Sequence, residues 1–166
     1  MKNLLAISLL LLFILGCGEA YKQEQKTQLE IRQMQTRTYE IESMKAIVKA
    51  ILNVLQDDSF IVKQVNIDLG FLNATKEVDV ESKNERFWQR FWWGKRGATY
   101  KKNTVIDCTA NISEFGEEKR VRVNFQAKVI DNRGGVVSVR QIDSLEFYQE
   151  FFAKVDKGIF IEKEGI

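Results

Sequence analysis

Residues 104–130 read TVIDCTANISEFGEEKRVRVNFQAKVI. Ile106, Cys108, Ala110 and Ile112 alternate with Val105, Asp107, Thr109 and Asn111. After Ser113–Glu118, a turn that contains Gly116, the alternation resumes. Val121, Val123, Phe125, Ala127 and Val129 take turns with Arg122, Asn124, Gln126 and Lys128. Successive side chains of a strand point to opposite faces, so a period of two predicts strands with one face buried and one wet. That is the pattern of an antiparallel sheet.

Toward the C-terminus, Asp131–Gly135 carries the residues of a hairpin loop, and Val136–Asp143 is the last predicted strand. Asp143 or Ser144 then caps a helix, with Glu146 three residues after Asp143 as in a capping box. Leu145, Tyr148, Phe152 and Val155 mark one face of that helix, with Phe151 beside it. Gly158 is its expected stop, after which Ile159–Ile161 is placed to tuck back onto the domain.

Toward the N-terminus, Ser43 is a plausible N-cap. Met44, Ile47, Val48, Ile51, Leu52 and Leu55 follow at helical spacing, with Lys45, Lys49, Asn53 and Gln56 on the opposite side. Asp57–Ser59 ends this helix. Phe60–Leu69 then reads as a strand with Ile61, Val65, Ile67 and Leu69 on one face. Gly70 makes a turn or bulge, and Phe71–Val80 returns with Leu72, Ala74, Val78 and Val80 together. Thr36–Ile41 is a short strand with Tyr39 and Ile41 on one side. The fold class that follows is α+β: a single antiparallel sheet of five or six strands with two amphipathic helices packed on one face.

Residues 81–103 interrupt the pattern. All 3 tryptophans of the chain, Trp88, Trp92 and Trp93, fall here with Phe87 and Phe91. Arg86, Arg90, Lys95 and Arg96 flank them. As a plain core helix these aromatics would cover the sheet. The functional reading is a surface that meets lipid or another protein, because Trp and Arg favour membrane interfaces and interaction hot spots. So many rings in so short a run exceed what one short helix can bury on a single face.

Residues 1–16, MKNLLAISLLLLFILG, have the charge of Lys2 followed by an apolar run, the build of a secretory signal peptide. The run is too short for a comfortable membrane span. Ile14-Leu15-Gly16-Cys17 resembles the lipobox of bacterial lipoproteins. The resemblance implies cleavage before Cys17 and a lipid on its thiol, so the covalent lipid on Cys17 is the only non-protein group expected, with no other cofactor. Residues 17–35 are rich in Gln, Glu and Lys and suit a polar tether, partly helical at its end, where Leu29, Ile31 and Met34 are positioned to dock. Residues 36–166 form the domain, with the aromatic and basic insertion at 81–103.

A wider resemblance rests on Gln35-Thr36-Arg37, Leu55-Gln56-Asp57, Phe60-Ile61, Leu69-Gly70 and Ala74-Thr75-Lys76, together with Phe147–Phe152. These resemble a group of uncharacterised bacterial lipoproteins, which implies an address and a fold but no catalytic residues. The order of helix and strands is also similar in topology to the small lipoprotein of the outer-membrane barrel-assembly machinery. Gly18 after Cys17 resembles signals that favour the outer membrane, with the domain facing the periplasm.

Little in the chain points to catalysis. It has no histidine, the commonest general base and metal ligand. Cys108 is expected in the core, since it lies on the apolar side of a strand. Asp57-Asp58, Glu117-Glu118 and Asp79/Glu81 read as solvated carboxylates, and no metal site is expected. Gly134-Gly135 lacks the helix and lysine of a phosphate loop. With 25 Lys and Arg against 23 Asp and Glu, the near-neutral charge argues against nucleic acid as partner. The expected function is a non-enzymatic, membrane-anchored envelope lipoprotein, an accessory or interaction module with an envelope protein as partner. The alternative is a lipid- or small-ligand-binding lipoprotein with a pocket between helices and sheet.

Overall fold

The computed structural model describes residues 26–40, 43–78, 103–131 and 133–164. In chain order they form α1 (Gln28–Met34), β1 (Thr36–Tyr39), α2 (Met44–Asp57), β2 (Ile61–Asn66), β3 (Phe71–Val78), β4 (Asn103–Phe115), β5 (Glu118–Ile130), β6 (Val136–Gln141) and α3 (Leu145–Glu164). The strands make one 6-stranded sheet in the order β1-β5-β4-β3-β2, with β6 also paired to β5. Every pairing is antiparallel. The fold is α+β, as the periodicities predict.

β4 and β5 pair along their whole length, from Asn103 opposite Ile130 to Phe115 opposite Glu118. The turn between them is confined to Gly116 and Glu117, so both strands run further than their apolar alternation. Gly116 has φ +65°, a left-handed conformation that glycine adopts without a Cβ clash. Lys119, near the start of β5, is buried on the core face and paired with Glu114 at 2.9 Å. Its ammonium thereby reaches a partner at the rim.

β4 fills one side of β5. On the other side β1 takes Lys119–Arg122 and β6 takes Gln126–Ile130, so these two short strands lie end to end. The core face of the sheet carries Leu72, Ala74, Val78, Ile106, Cys108, Ala110, Ile112, Val121, Val123, Phe125 and Ala127, all buried. α2 and α3 cover it. The ring of Phe125 lies 5.0 Å from Phe147, 5.1 Å from Phe151, 6.0 Å from Phe60 and 6.1 Å from Tyr148, measured between centroids. Such edge-on and tilted pairs add about 0.5–1.5 kcal/mol each beyond area burial.

Several expectations are corrected. In α2 the buried face is Ile47, Val48, Ala50, Ile51, Val54 and Leu55, while Met44 and Leu52 are only half-buried. The face is turned because α2 packs on α3 as well as on the sheet. α3 does not stop at Gly158 but continues to Glu164, and Gly158 lies against Ala50 of α2. In β2 a bulge at Lys63 shifts the register, so that Val62 pairs with Ala74 on the core side while Ile61 pairs with Thr75 and is exposed. Ile67 and Leu69, expected on its apolar face, are exposed in the turn that follows. Gly70 in that turn has φ +59°, and a Cβ there would meet Ile112 O at 2.0 Å. The space is needed because Ile112 N–H donates to Gly70 O at 2.7 Å.

The end of the polar stretch is folded. Thr27 Oγ1 accepts from Glu30 N–H, and the Glu30 carboxylate accepts from Thr27 N–H, a complete capping box that starts α1. Ile31 and Gln35 are buried and Met34 packs on the core, whereas Leu29 is exposed. Residues 28–34 are thus helical and docked, as expected for the end of the stretch, through Ile31 and Met34 but not Leu29.

Candidate functional site

Cys17 lies outside the described residues, as do Arg86, Phe87, Trp88, Arg90, Phe91, Trp92, Trp93, Lys95 and Arg96. The fold does place the two ends between which the aromatic stretch runs. Val78 closes β3 opposite Thr104 of β4, and Thr104 in turn stands opposite Val129 of β5. These two ends stand on neighbouring strands, at the end of the sheet where β5 leads into β6.

Among the described residues, one connected polar site in the interior was missed by sequence reasoning. β1 and β6 leave a gap along β5 at Val123–Phe125. Backbone groups bordering a gap between strands need partners, since an unpaired buried N–H costs as much as a lost hydrogen bond. Val123 N–H donates to Gln35 O at 2.9 Å, and Ile142 N–H donates to Phe125 O at 2.9 Å. Phe125 N–H donates to the Tyr148 hydroxyl at 3.4 Å, which in turn donates to Ile142 O at 3.3 Å. Gln35 Nε2 donates to the same hydroxyl at 3.2 Å and to Asn124 Oδ1 at 3.3 Å. Gln141 Nε2 also reaches Asn124 Oδ1, at 2.9 Å. Asn124 belongs to the face opposite Phe125, so Gln35 threads the gap and joins both faces of the sheet. Gln35 Oε1 is buried and has no hydrogen-bond partner among the described residues.

Burial pushes the Tyr148 hydroxyl up to about 12, partly offset by the hydrogen bonds from Gln35 and Phe125. It stays protonated at physiological pH and works as a structural pin. The sequence signal for it was only a tyrosine on the apolar face of a helix. Nothing local tells that its hydroxyl finds a gap between two strands.

A second polar cluster closes the C-terminal end of α2. Asp58 caps the helix, and its carboxylate receives Lys154 of α3 at 2.6 and 2.8 Å. Asp58 O accepts from buried Lys76 of β3 at 3.0 Å. Two ammonium groups at a helix C-terminus complement its dipole. Asp58 is thus bound into the fold instead of standing as a solvated carboxylate beside Asp57. On the other side of α3, Asp156 accepts from the Tyr39 hydroxyl at 2.9 Å and pairs with Arg37 at 3.0 Å. Arg37 also lies over the Phe152 ring, 5.9 Å from its centroid.

Cys108 is buried on the core face of β4, and burial, then the nearby Asp107 charge, push its thiol well above the usual range. A thiol held in its neutral form is a poor nucleophile. Among the described residues no group of three or more His, Cys, Asp or Glu is placed to hold a metal ion. Among them, too, no helix is long and apolar enough to cross a membrane.

No protein-family model matches the chain, and no curated protein matches it. Among solved structures it is similar to the crystal structure of a DUF4468 family protein from Bacteroides ovatus, with 7% sequence identity and a TM-score of 0.40. The match covers 75% of this chain and 84% of that one. A likeness this distant carries no argument about function.

Proposed function

We propose that this chain is a lipid-anchored protein of the bacterial envelope whose domain serves as a non-enzymatic interaction module. The observation that carries the reading is the register of Lys2, the apolar run and Gly16-Cys17 in the leader. Charge, apolar length and cysteine fall where a lipobox needs them. The anchor puts the domain at a membrane, and Phe87–Trp93 with its flanking Arg and Lys supplies the residue types of a contact surface for an envelope protein or lipid headgroups. The alternative, a ligand pocket between helices and sheet, would have to lie away from Phe125, on which four rings pack.

Cys17→Ser tests the reading in the native host. The wild-type protein should carry lipid on Cys17, shown by mass spectrometry, and should sediment with outer-membrane vesicles. The variant should remain uncleaved or unlipidated. Unchanged lipid on the variant, or a wild-type protein without lipid, sinks the proposal.

A further inference from the structure

Residues 26–39, α1 with β1, are held differently from the rest of the domain. The main apolar cluster takes its buried members from α2, α3, β3, β4 and β5, with Phe60 and Ile142 beside them. From residues 26–39 only Met34 and Tyr39 pack on it, both half-buried. Ile31 is buried outside that cluster. The other ties are polar. Arg37 pairs with Asp156 where both side chains are more than a third exposed. Tyr39 donates to the same carboxylate, and Lys26 donates to Asp143 O. Such wet ion pairs contribute little. β1 adds a short ladder along Lys119–Arg122, and Gln35 O accepts from Val123 N–H. Against these ties stands the backbone entropy that the segment regains on leaving. Gln35 Oε1, buried without a partner among the described residues, weakens the closed state further. An element with so little apolar burial, in front of a core complete without it, opens well below the free energy of global unfolding.

We propose that residues 26–39 are a releasable strap. They leave the domain as one unit while the remaining sheet and α2 and α3 stay folded. Release uncovers the edge of β5 from Lys119 to Val123 for an extended segment of a partner protein. The inference rests on the reading of the domain as an interaction module and names the site of that interaction. What now lies on the edge defines what fits there. An amide at position 35 precedes an extended Thr-Arg-Thr-Tyr, with Thr36 and Thr38 opposite Arg122 and Arg120. Arg37 and Tyr39 alternate with them and reach Asp156 of α3. Main-chain bonds along such an edge supply affinity, and the alternate side chains supply selection.

The test follows amide exchange in the full-length protein. Val123 N–H donates to Gln35 O, and Gln35 N–H donates to Ile31 O. Both should exchange through one common opening. Their protection should be at least about 10-fold below that of Ile142 N–H, which donates to Phe125 O across the gap. Thr38→Cys with Arg120→Cys joins register partners of β1 and β5, while Cys108 is buried. Oxidation locks the strap and should raise the protection of Val123, and a reductant should restore it. A labelled peptide with the sequence of residues 33–40 should bind the reduced form and not the locked one. Val123 as protected as Ile142 in the wild type, or unchanged by the lock, overturns the strap. Peptide bound equally to both forms, or to neither, overturns the edge as a docking site. None of these readings needs lipid on Cys17, so mass spectrometry tells a failed anchor from a failed strap.

Discussion

Gly158 of α3 lies directly on Ala50 of α2: a Cβ added to the glycine would stand 3.3 Å from the alanine Cβ and 3.6 Å from its Cα. The two helices cross where neither has a side chain longer than a methyl group. Gly158→Ala gains roughly 1 kcal/mol of helix propensity but presses on Ala50, so it should lie within about 1 kcal/mol of wild type. Gly158→Leu should destabilise by about 1–3 kcal/mol or more, because the helices must separate. Urea melts of the soluble domain measure both, and a leucine variant as stable as wild type would show that the crossing is loose.

Tyr148→Phe should cost about 1–3 kcal/mol, since it leaves the buried Phe125 N–H, Ile142 O and Gln35 amide without their common partner. Tyr39→Phe loses one partly buried bond to Asp156, a carboxylate that keeps Arg37 as a partner, and should cost about 1 kcal/mol. Chemical denaturation ranks the two, and the reverse order counts against the pin.

Alkaline unfolding gives a separate check. Burial holds the Tyr148 hydroxyl at about 12 in the fold, against an ordinary value of 10.0. Between these values the unfolded chain has lost a proton that the native state keeps. It therefore binds fewer protons, and stability falls as pH rises. The contribution is full below about pH 10 and declines from there through about pH 12. Tyr39, also raised by burial, adds to the same slope. The denaturation midpoint should fall across this window, and Tyr148→Phe should flatten the fall. An unchanged slope in the variant would mean that Tyr148 ionises freely.

Ile51→Ala should destabilise by about 2–5 kcal/mol, as for other large-to-small core changes. Leu52→Ala should cost distinctly less, because Leu52 is only half-buried. Lys49→Ala removes an ion pair with Glu162 at 2.7 Å in which the lysine is exposed, so it should stay within about 1 kcal/mol of wild type. Equal losses at Ile51 and Leu52 would restore the helix face read from spacing alone.

Changing Trp88 and Trp92 together to Ser should weaken binding of the domain, freed of Cys17, to anionic vesicles or to extracted envelope proteins. Trp anchors at hot spots often contribute more than about 2 kcal/mol each. Its melt should stay close to wild type. A variant that binds normally but melts far lower places these rings in the core and removes the contact surface from the proposed function.

The long strands were legible because β4 and β5 have one clean face each, and a period of two needs no knowledge of the rest of the fold. Where two neighbours share a residue, spacing alone fails. Ala50 and Val54 face inward because α3 lies beside α2, and a small residue at Gly158 looks like a stop until its neighbour is seen. At Lys63 one extra residue inverts the phase of β2, and composition carries no trace of it. Gln35, Lys76 and Lys119 are polar and buried, and the partners of the Gln35 amide N–H groups and of the two ammonium groups are distant in sequence or at the rim. Of the expected site, Cys17 and Phe87–Trp93 are read from residue type and order, and both lie outside the described residues.

The gap between β1 and β6 also sets the order of events when the chain folds. Gln35 and Tyr148 meet across 113 residues of sequence, so the seam closes only when both ends of the domain are present. Contacts this remote in sequence form late, because the entropy of closing so large a loop must be overcome before the bonds exist. A chain synthesised N-terminus first would keep the Val123–Phe125 gap of β5, between β1 and β6, unsealed until α3 has followed. Until then its free N–H and C=O groups are a template for the wrong strand. Truncation before Tyr148 should fix the protein in that state, and the product should aggregate or be degraded instead of accumulating as a smaller folded domain.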